Sequence, residues 1–131
     1  MYSSKGTVHY DITDGPWVTV SIDQQLVDYY FFFIPKYYHV IRPRWKAHAT
    51  VVRPEDNPSL KNWGKHEGEI INFIYDPTIL YGEGFWWVNL WSVAMENIRK
   101  ELDLSIKSRI TISPPGYSKV FHCTIGKNRG F

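Results

Sequence analysis

The sequence contains a single cysteine, Cys123, among 131 residues. This excludes an intrachain disulfide and a cysteine-rich zinc site. Long apolar runs are also missing: the longest candidate, residues 29–34, spans six residues, against the roughly 18 that a membrane helix needs. The opening residues contain no apolar stretch of signal-peptide length. These absences predict an intracellular, cytoplasmic protein with no membrane partner.

An excess of charge of either sign is lacking too. Lys and Arg number 15, Asp and Glu number 13, and the formal net charge is +2. Such a balance excludes a histone-like polycation and suits a small or short anionic ligand. At 15.4 kDa the chain is long enough for one hydrophobic core. We therefore expect residues 1–131 to form a single domain.

Aromatic residues, in contrast, are abundant: six Trp, nine Tyr and seven Phe make up 17% of the chain. Aromatic rings serve a β-rich core more often than a binding site. A minority of exposed rings can stack on nucleobases. We expect most of these rings to belong to the core.

The hydrophobic pattern predicts a mixed chain. Alternating β-branched and apolar residues predict strands, and apolar residues spaced four apart behind a capping Asp23 or Ser92 predict helices. The polar residues 1–15 are interpreted as an irregular start or an edge strand, and 53–69 as a long loop. The predicted strands are 17–22, 45–52, 70–75, 78–81, 85–91, 109–112 and 119–126, and the predicted helices are 24–34 and 93–104.

Two of the predicted strands carry the same motif, His-x-Thr, as His48 with Thr50 and His122 with Thr124. Because side chains alternate along a strand, each motif presents an imidazole and a hydroxyl on one face. With five His and seven Thr in the chain, chance gives roughly 0.3 such matches. One histidine on a strand is usually structural, but two matched motifs indicate one shared site.

Each motif closes a similar unit of strand, helix, connector and motif strand, over residues 17–52 and 85–126. An approximate two-fold axis between the units would bring both motifs to the floor of one central cleft. The predicted fold is therefore a bilobal α+β fold, with two-fold pseudo-symmetric antiparallel sheets, flanking helices and a central cleft.

Two imidazoles on opposite sides of one phosphorus atom are the minimum set for cleaving a phosphodiester without a metal. One histidine takes a proton from the nucleophile and the other gives one to the leaving oxygen, and imidazole does either near neutral pH. The sequence leaves open whether His48 or His122 is the base. Thr50 and Thr124 would hold the non-bridging oxygens.

A cation and a base-stacking ring would complete such a site. Lys46, two residues before the first motif histidine, is the predicted cation. No metal or other cofactor is expected: His122 and Cys123 are adjacent and so point to opposite faces of a strand, where they cannot bind one ion together. The rings that we consider for stacking on a base are Trp45, Tyr117 and Tyr10.

The paired motifs resemble those of the 2H phosphoesterase superfamily, which includes RNA 2′,3′-cyclic phosphodiesterases and small phage-borne relatives. The second motif reads Phe121-His-Cys-Thr-Ile-Gly126 and follows an aromatic strand and a helix containing Ile98-Arg-Lys-Glu-Leu-Asp-Leu104. The resemblance spans roughly residues 17–126. It implies the bilobal fold and metal-independent phosphodiester chemistry beside a ribose hydroxyl. It also implies catalytic roles for both histidines and phosphate binding by both threonines.

Three classes of function stay open at this point. The leading one is a phosphodiesterase acting on 2′,3′-cyclic phosphate RNA ends, 2′-5′ oligonucleotides or cyclic oligonucleotide signals, in the cytoplasm of a cell or of a phage-infected host. The second is a nonenzymatic RNA or nucleotide binder that uses the same cleft. The third is an unrelated aromatic-rich interaction domain, in which the two imidazoles would not share a cavity. The sequence does not predict an oligomeric state.

Overall fold

A computed structural model describes residues 1–108 and 111–131. Eight strands and two helices, with short 3₁₀ turns at 36–38 and 54–56, make up this part of the chain. In order they are β1 (Tyr2–Asp11), β2 (Trp17–Ile22), α1 (Gln24–Phe31), β3 (Val40–Ile41), β4 (His48–Val52), β5 (Ile70–Tyr75), β6 (Leu80–Gly82), β7 (Phe85–Trp91), α2 (Val93–Glu101) and β8 (Phe121–Asn128).

Six of the strands close into an antiparallel barrel. Going round it, β1 pairs with β5, β5 with β7, β7 with β8, β8 with β4, β4 with β2, and β2 with β1. The short strands β3 and β6 add to the outside of this ring by pairing with β8 and β7. Each barrel strand therefore has a partner on both sides, which removes the free edges of an open sheet.

The predicted bilobal, two-fold pseudo-symmetric α+β fold is wrong, and β1 is the reason. Residues 1–15 contain a ten-residue strand instead of an irregular start or an edge strand. This strand pairs with β2 of the first predicted unit and with β5, which precedes the second unit. The two halves are thus joined into one closed sheet, and no boundary between lobes exists.

Gly6 lets β1 approach its neighbour closely. A Cβ atom at this position would lie 2.4 Å from Cγ1 of Val20 and 2.5 Å from the carbonyl oxygen of Ser21. Only Gly6 and Val8 of β1 are buried, and the rest of the strand is polar or partly exposed. A strand with so few apolar residues gives little periodic signal.

The inward side chains of the barrel and the inner faces of both helices form one apolar cluster. Helix α1 packs against β8, and helix α2 packs against β4 and β5. The middle residues of the two motifs, Ala49 and Cys123, belong to this cluster. Its other fully buried members include Val8, Val18, Val20, Val27, Val51, Val88, Leu90, Met95, Ile98, Leu102 and Ile125.

Both helix starts are confirmed. The Asp23 side chain accepts a hydrogen bond from the Gln25 amide, and the Ser92 hydroxyl accepts one from the Met95 amide. Both helices are three residues shorter than predicted. Helix α1 ends at Phe31, ahead of Pro35, and helix α2 ends at Glu101, ahead of Asp103, whose φ is +60°. Over residues 1–108 and 111–131, no helix has the length and apolar character needed to cross a membrane.

The strands at 17–22, 70–75 and 85–91 are confirmed. The motif strands begin later than predicted, at residues 48 and 121, and the strand predicted at 78–81 lies at 80–82. Of the strand predicted at 109–112, residues 109 and 110 lie outside the described residues, and 111–112 form no strand.

Candidate active site

The two motif strands, β4 and β8, are hydrogen-bonded neighbours in the barrel. Their middle residues, Ala49 and Cys123, lie opposite each other, so this antiparallel register sets each motif histidine across from the threonine of the other motif. Opposite Cβ atoms in such a pair are about 5 Å apart, and diagonal neighbours about 7–8 Å. His48 and His122 are therefore diagonal neighbours.

Both motifs face a cleft on the outside of the barrel with a volume of about 930 Å³. The floor is formed by β4 and β8. The walls come from the turn that follows β4, the hairpin between β6 and β7, and the segment that leads into β8. The residues that line the cleft are His48, Thr50, Val51, Arg53, Asp56, Gly82, Glu83, Phe85, Trp87, Arg99, Lys119, Val120, Phe121, His122 and Thr124.

The half-buried His48 ring is oriented by the main chain. Its Nδ1 atom lies 2.7 Å from the carbonyl oxygen of Lys46. A carbonyl oxygen can only accept a hydrogen bond, so Nδ1 carries a proton and donates it. The other nitrogen, Nε2, has no hydrogen-bond partner among the described residues.

The His122 ring packs against an aromatic wall and stays accessible to solvent. Its centroid is 5.5 Å from that of Trp87, whose indole N–H donates to the Asn89 side chain at 3.0 Å. The cleft removes part of the water around the imidazole, which lowers the pKa of His122, and the nearby positive charges of Arg53 and Lys119 lower it further. His122 is therefore neutral and able to accept a proton at pH 7.

Lys119 is positioned by a buried carboxylate. Glu96 of α2 accepts hydrogen bonds from the main-chain amides of Ser118, at 2.9 Å, and of Lys119, at 3.3 Å. This fixes the segment before β8 against the helix, so that the Lys119 side chain lies in the cleft wall. Partial burial, followed by repulsion from Arg99, lowers the pKa of Lys119.

The guanidinium of Arg99 holds the floor and one wall of the cleft together. It donates to the carbonyl of Val51 at 2.8 Å, to the carbonyl of Ser105 at 2.7 Å and to the Asp56 carboxylate at 3.2 Å. Burial alone would raise the pKa of Asp56, but hydrogen bonds from the Arg53 amide and from Arg99 lower it overall. The Arg99 guanidinium is thus already bound to acceptors of the protein. The lining cations that can contact a ligand are Arg53 and Lys119.

The structure brings all four predicted catalytic residues to the cleft but none of the four predicted substrate-binding residues. Within the described part of the chain, Lys46 contributes its carbonyl oxygen to the site, while its side chain is not in the lining. Trp45 is exposed under the Arg44 guanidinium, and Tyr10 packs edge-on against Trp63. Tyr117 lines a separate hollow of about 460 Å³ beside β1 and β5.

Arg53, Lys119 and Trp87 are site residues that the sequence reasoning missed. Arg53 is turned outward by a register shift between β2 and β4, which leaves both Val51 and Val52 buried. Strict alternation from His48 would have pointed it inward. The position of Lys119 in the cleft depends on the contact of its segment with α2, which no local sequence pattern reveals. Trp87 shared a strongly aromatic strand with Trp86 and Trp91, so nothing singled it out.

No family model, curated protein or solved structure matches this chain. The site must therefore be judged by its own geometry. Among residues 1–108 and 111–131, no group of three His, Cys, Asp or Glu side chains is arranged to hold a metal ion. The cleft brings together two imidazoles, two hydroxyls and the cations of Arg53 and Lys119.

Replacing Lys119 with Met should raise the pKa of His122. The change removes one of the two positive charges that disfavour protonation of this imidazole and keeps a side chain of similar length. An NMR titration of the His122 ring measures the pKa directly. Lys46→Met is the matched control and should leave the titration unchanged. An unchanged or lowered pKa in Lys119→Met would show that the two groups do not interact.

Proposed function

We propose that this chain is a metal-independent phosphodiesterase of the 2H type that acts on a ribonucleotide. One observation carries the proposal: the two His-x-Thr motifs lie on neighbouring strands, in a register that opposes each histidine to the other motif's threonine, on the floor of one cleft. We propose that the two histidines, as diagonal neighbours about 7–8 Å apart, flank a single phosphate group. The shared cleft disfavours the third class of function, an unrelated aromatic-rich interaction domain, in which the two imidazoles would not share a cavity.

His122 is the proposed general base. Its lowered pKa keeps the imidazole neutral at pH 7, as a base must be before the reaction. With a 2′,3′-cyclic phosphate it takes a proton from water as the water oxygen attacks phosphorus. With an internal linkage it takes the proton of the ribose hydroxyl next to the phosphate instead, which is the 2′-hydroxyl of a 3′-5′ linkage or the 3′-hydroxyl of a 2′-5′ linkage. DNA has no such hydroxyl and is excluded from that route.

His48 is the proposed general acid. With Nδ1–H bound to a carbonyl oxygen, its protonated ring directs the Nε2–H bond towards the cleft. As the bond between phosphorus and the leaving ribose oxygen breaks, this proton passes to that oxygen. His48 ends neutral and His122 ends protonated, and exchange with water restores both.

Thr50 and Thr124 are proposed to donate hydrogen bonds to the non-bridging phosphate oxygens. We propose that Arg53 and Lys119 supply the positive charge that the sequence predicted for Lys46, because their side chains line the cleft. Positive charge beside the phosphate favours the transition state, in which charge grows on these oxygens.

Phe85 and Trp87 are aromatic side chains of the cleft lining. We propose that they contact the base, in place of Trp45, Tyr117 and Tyr10. The volume of the cleft exceeds that of one phosphate and leaves room for a nucleoside on either side. The proposed substrates are intracellular, so the proposal includes a cytoplasmic location.

The test is a panel of substrates incubated with purified protein, with products identified by mass. The panel contains an RNA with a 2′,3′-cyclic phosphate end, a 2′-5′ oligoadenylate, cyclic dinucleotides and trinucleotides, and a DNA oligomer of matched sequence. We expect turnover of a ribonucleotide with no product from DNA, and equal rates with and without EDTA. Tight binding without any turnover would instead favour the nonenzymatic nucleotide binder. Loss of activity with EDTA would contradict the mechanism.

A further inference from the structure

Four aromatic rings form a continuous row on the surface of β6, β7 and the 3₁₀ turn before β3. In order they are Tyr37, Tyr38, Trp86 and Tyr81, with successive centroids 4.5, 5.1 and 4.5 Å apart. We call this row the aromatic ladder. Its three tyrosines are 71%, 49% and 54% exposed, although rings of this size are usually drawn into a core.

Two of the four rings, Trp86 and Tyr81, are held in place by hydrogen bonds to one asparagine side chain. The Trp86 indole N–H donates to Oδ1 of Asn128 at 3.1 Å, and Nδ2 of Asn128 donates to the Tyr81 hydroxyl at 3.0 Å. One amide orientation satisfies both bonds. These two rings at one end of the ladder are thus arranged before any ligand arrives, which reduces the entropy lost on binding.

The chain around the ladder is positively charged. Residues 36–46 contain four Lys or Arg and residues 125–131 contain two, and neither segment has an Asp or a Glu. Pairing of β3 with β8 brings these two segments together. Within residues 1–108 and 111–131, Lys36 and Arg129 have no ion-pair partner, whereas Arg42 binds Asp28. Glu83, in the turn between β6 and β7, is the one acidic residue of that hairpin, so the charge around the ladder is predominantly positive.

The ladder faces away from the candidate active site. Trp87 and Gly82, which alternate with Trp86 and Tyr81 along their strands, line the cleft. A ligand on the ladder therefore contacts the other side of the β6–β7 ribbon. This surface goes beyond the proposed function, and its binding does not require the cleft to be catalytic.

We propose that the aromatic ladder binds a segment of single-stranded nucleic acid. Exposed rings stack on successive bases and the surrounding cations attract the backbone phosphates, a combination that tolerates any base sequence. A second copy of this chain fits less well, because two like-charged surfaces would repel each other. The occupant is therefore a flexible anionic strand with flat bases.

Fluorescence anisotropy with a labelled 12-residue oligo-dT tests the proposal. This probe has no 2′-hydroxyl, so the proposed chemistry cannot consume it. We expect Tyr37→Ala to weaken binding about tenfold, equivalent to about 1.4 kcal/mol. Tyr37→Phe should bind like the parent protein, since it keeps the ring. Tyr29→Ala, which removes an exposed ring of helix α1 outside the ladder, is the matched control.

A salt titration separates the contribution of charge from that of stacking. Lys36→Gln should reduce the slope of log Kd against log salt by about 0.7, the value for one lost phosphate contact on a single strand. Tyr37→Ala should leave this slope unchanged. Equal affinities of Tyr37→Ala and Tyr29→Ala, with circular dichroism showing both folded, would overturn the proposal. The proposal would also be overturned if the ladder mediated self-association instead of binding oligo-dT. The protein would then form a dimer that the Tyr37→Ala substitution dissociates. Either result is independent of whether any substrate is turned over.

Discussion

His122→Ala should lower kcat for a ribonucleotide substrate about 10²–10⁴-fold, the usual contribution of one general acid or base. The ring of the proposed general base is lost, while the threonines and cations proposed to bind phosphate stay in place. KM should therefore change much less than kcat. Steady-state kinetics on the substrate found in the panel measures both constants.

His48→Ala should cause a loss of similar size, because it removes the proton given to the leaving oxygen. The double variant should be hardly slower than either single variant, since two groups that act in one step are not additive. His9→Ala is the control: this histidine is paired with Glu67, outside the cleft lining. If the His9 variant lost as much activity as the motif variants, the proposed catalytic pair would be wrong.

Arg99→Ala should lower the free energy of unfolding by about 3 kcal/mol, since it removes a buried charged donor with three partners. One of these partners is a carbonyl of β4 and another is the carboxylate of the turn that follows it. For a domain of this size, a loss of that magnitude lowers Tm by roughly 10 °C. Urea unfolding followed by tryptophan fluorescence gives the free energy.

Lys100→Ala tests whether the position of the charge matters. This residue has the same charge, follows Arg99 in the same helix and is exposed, so its replacement should change stability by less than about 0.5 kcal/mol. Arg99→Lys should recover little, because an ammonium cannot reach several acceptors in the geometry of a guanidinium. Equal unfolding midpoints for Arg99→Ala and Lys100→Ala would show that this anchor is not needed.

The local elements of this fold are visible in the sequence, whereas the closure of the sheet is not. The caps at Asp23 and Ser92 and the alternation around His48 and His122 depend on neighbouring residues, which the sequence shows directly. Barrel closure depends on β1, whose polar residues gave no periodic pattern, and on pairings between strands far apart in the chain. Two similar units in sequence therefore do not imply two lobes in space.

The same distinction applies to the candidate site. The four motif residues reached one cleft because alternation fixes the face of each side chain once its strand is known. Lys46 was expected to share the face of His48, but the strand begins only at His48, so alternation does not extend to it. Arg53 and Lys119 enter the cleft through a register shift and through a helix contact, and neither leaves a local pattern.

A single sheet carries both motif histidines, and main-chain hydrogen bonds join the two strands directly. No hinge can lie between the two imidazoles, in contrast to a site built where two lobes meet. We therefore expect the distance between the two Cα atoms to change little when a ligand binds. Any movement on binding would come from the loops of the cleft walls.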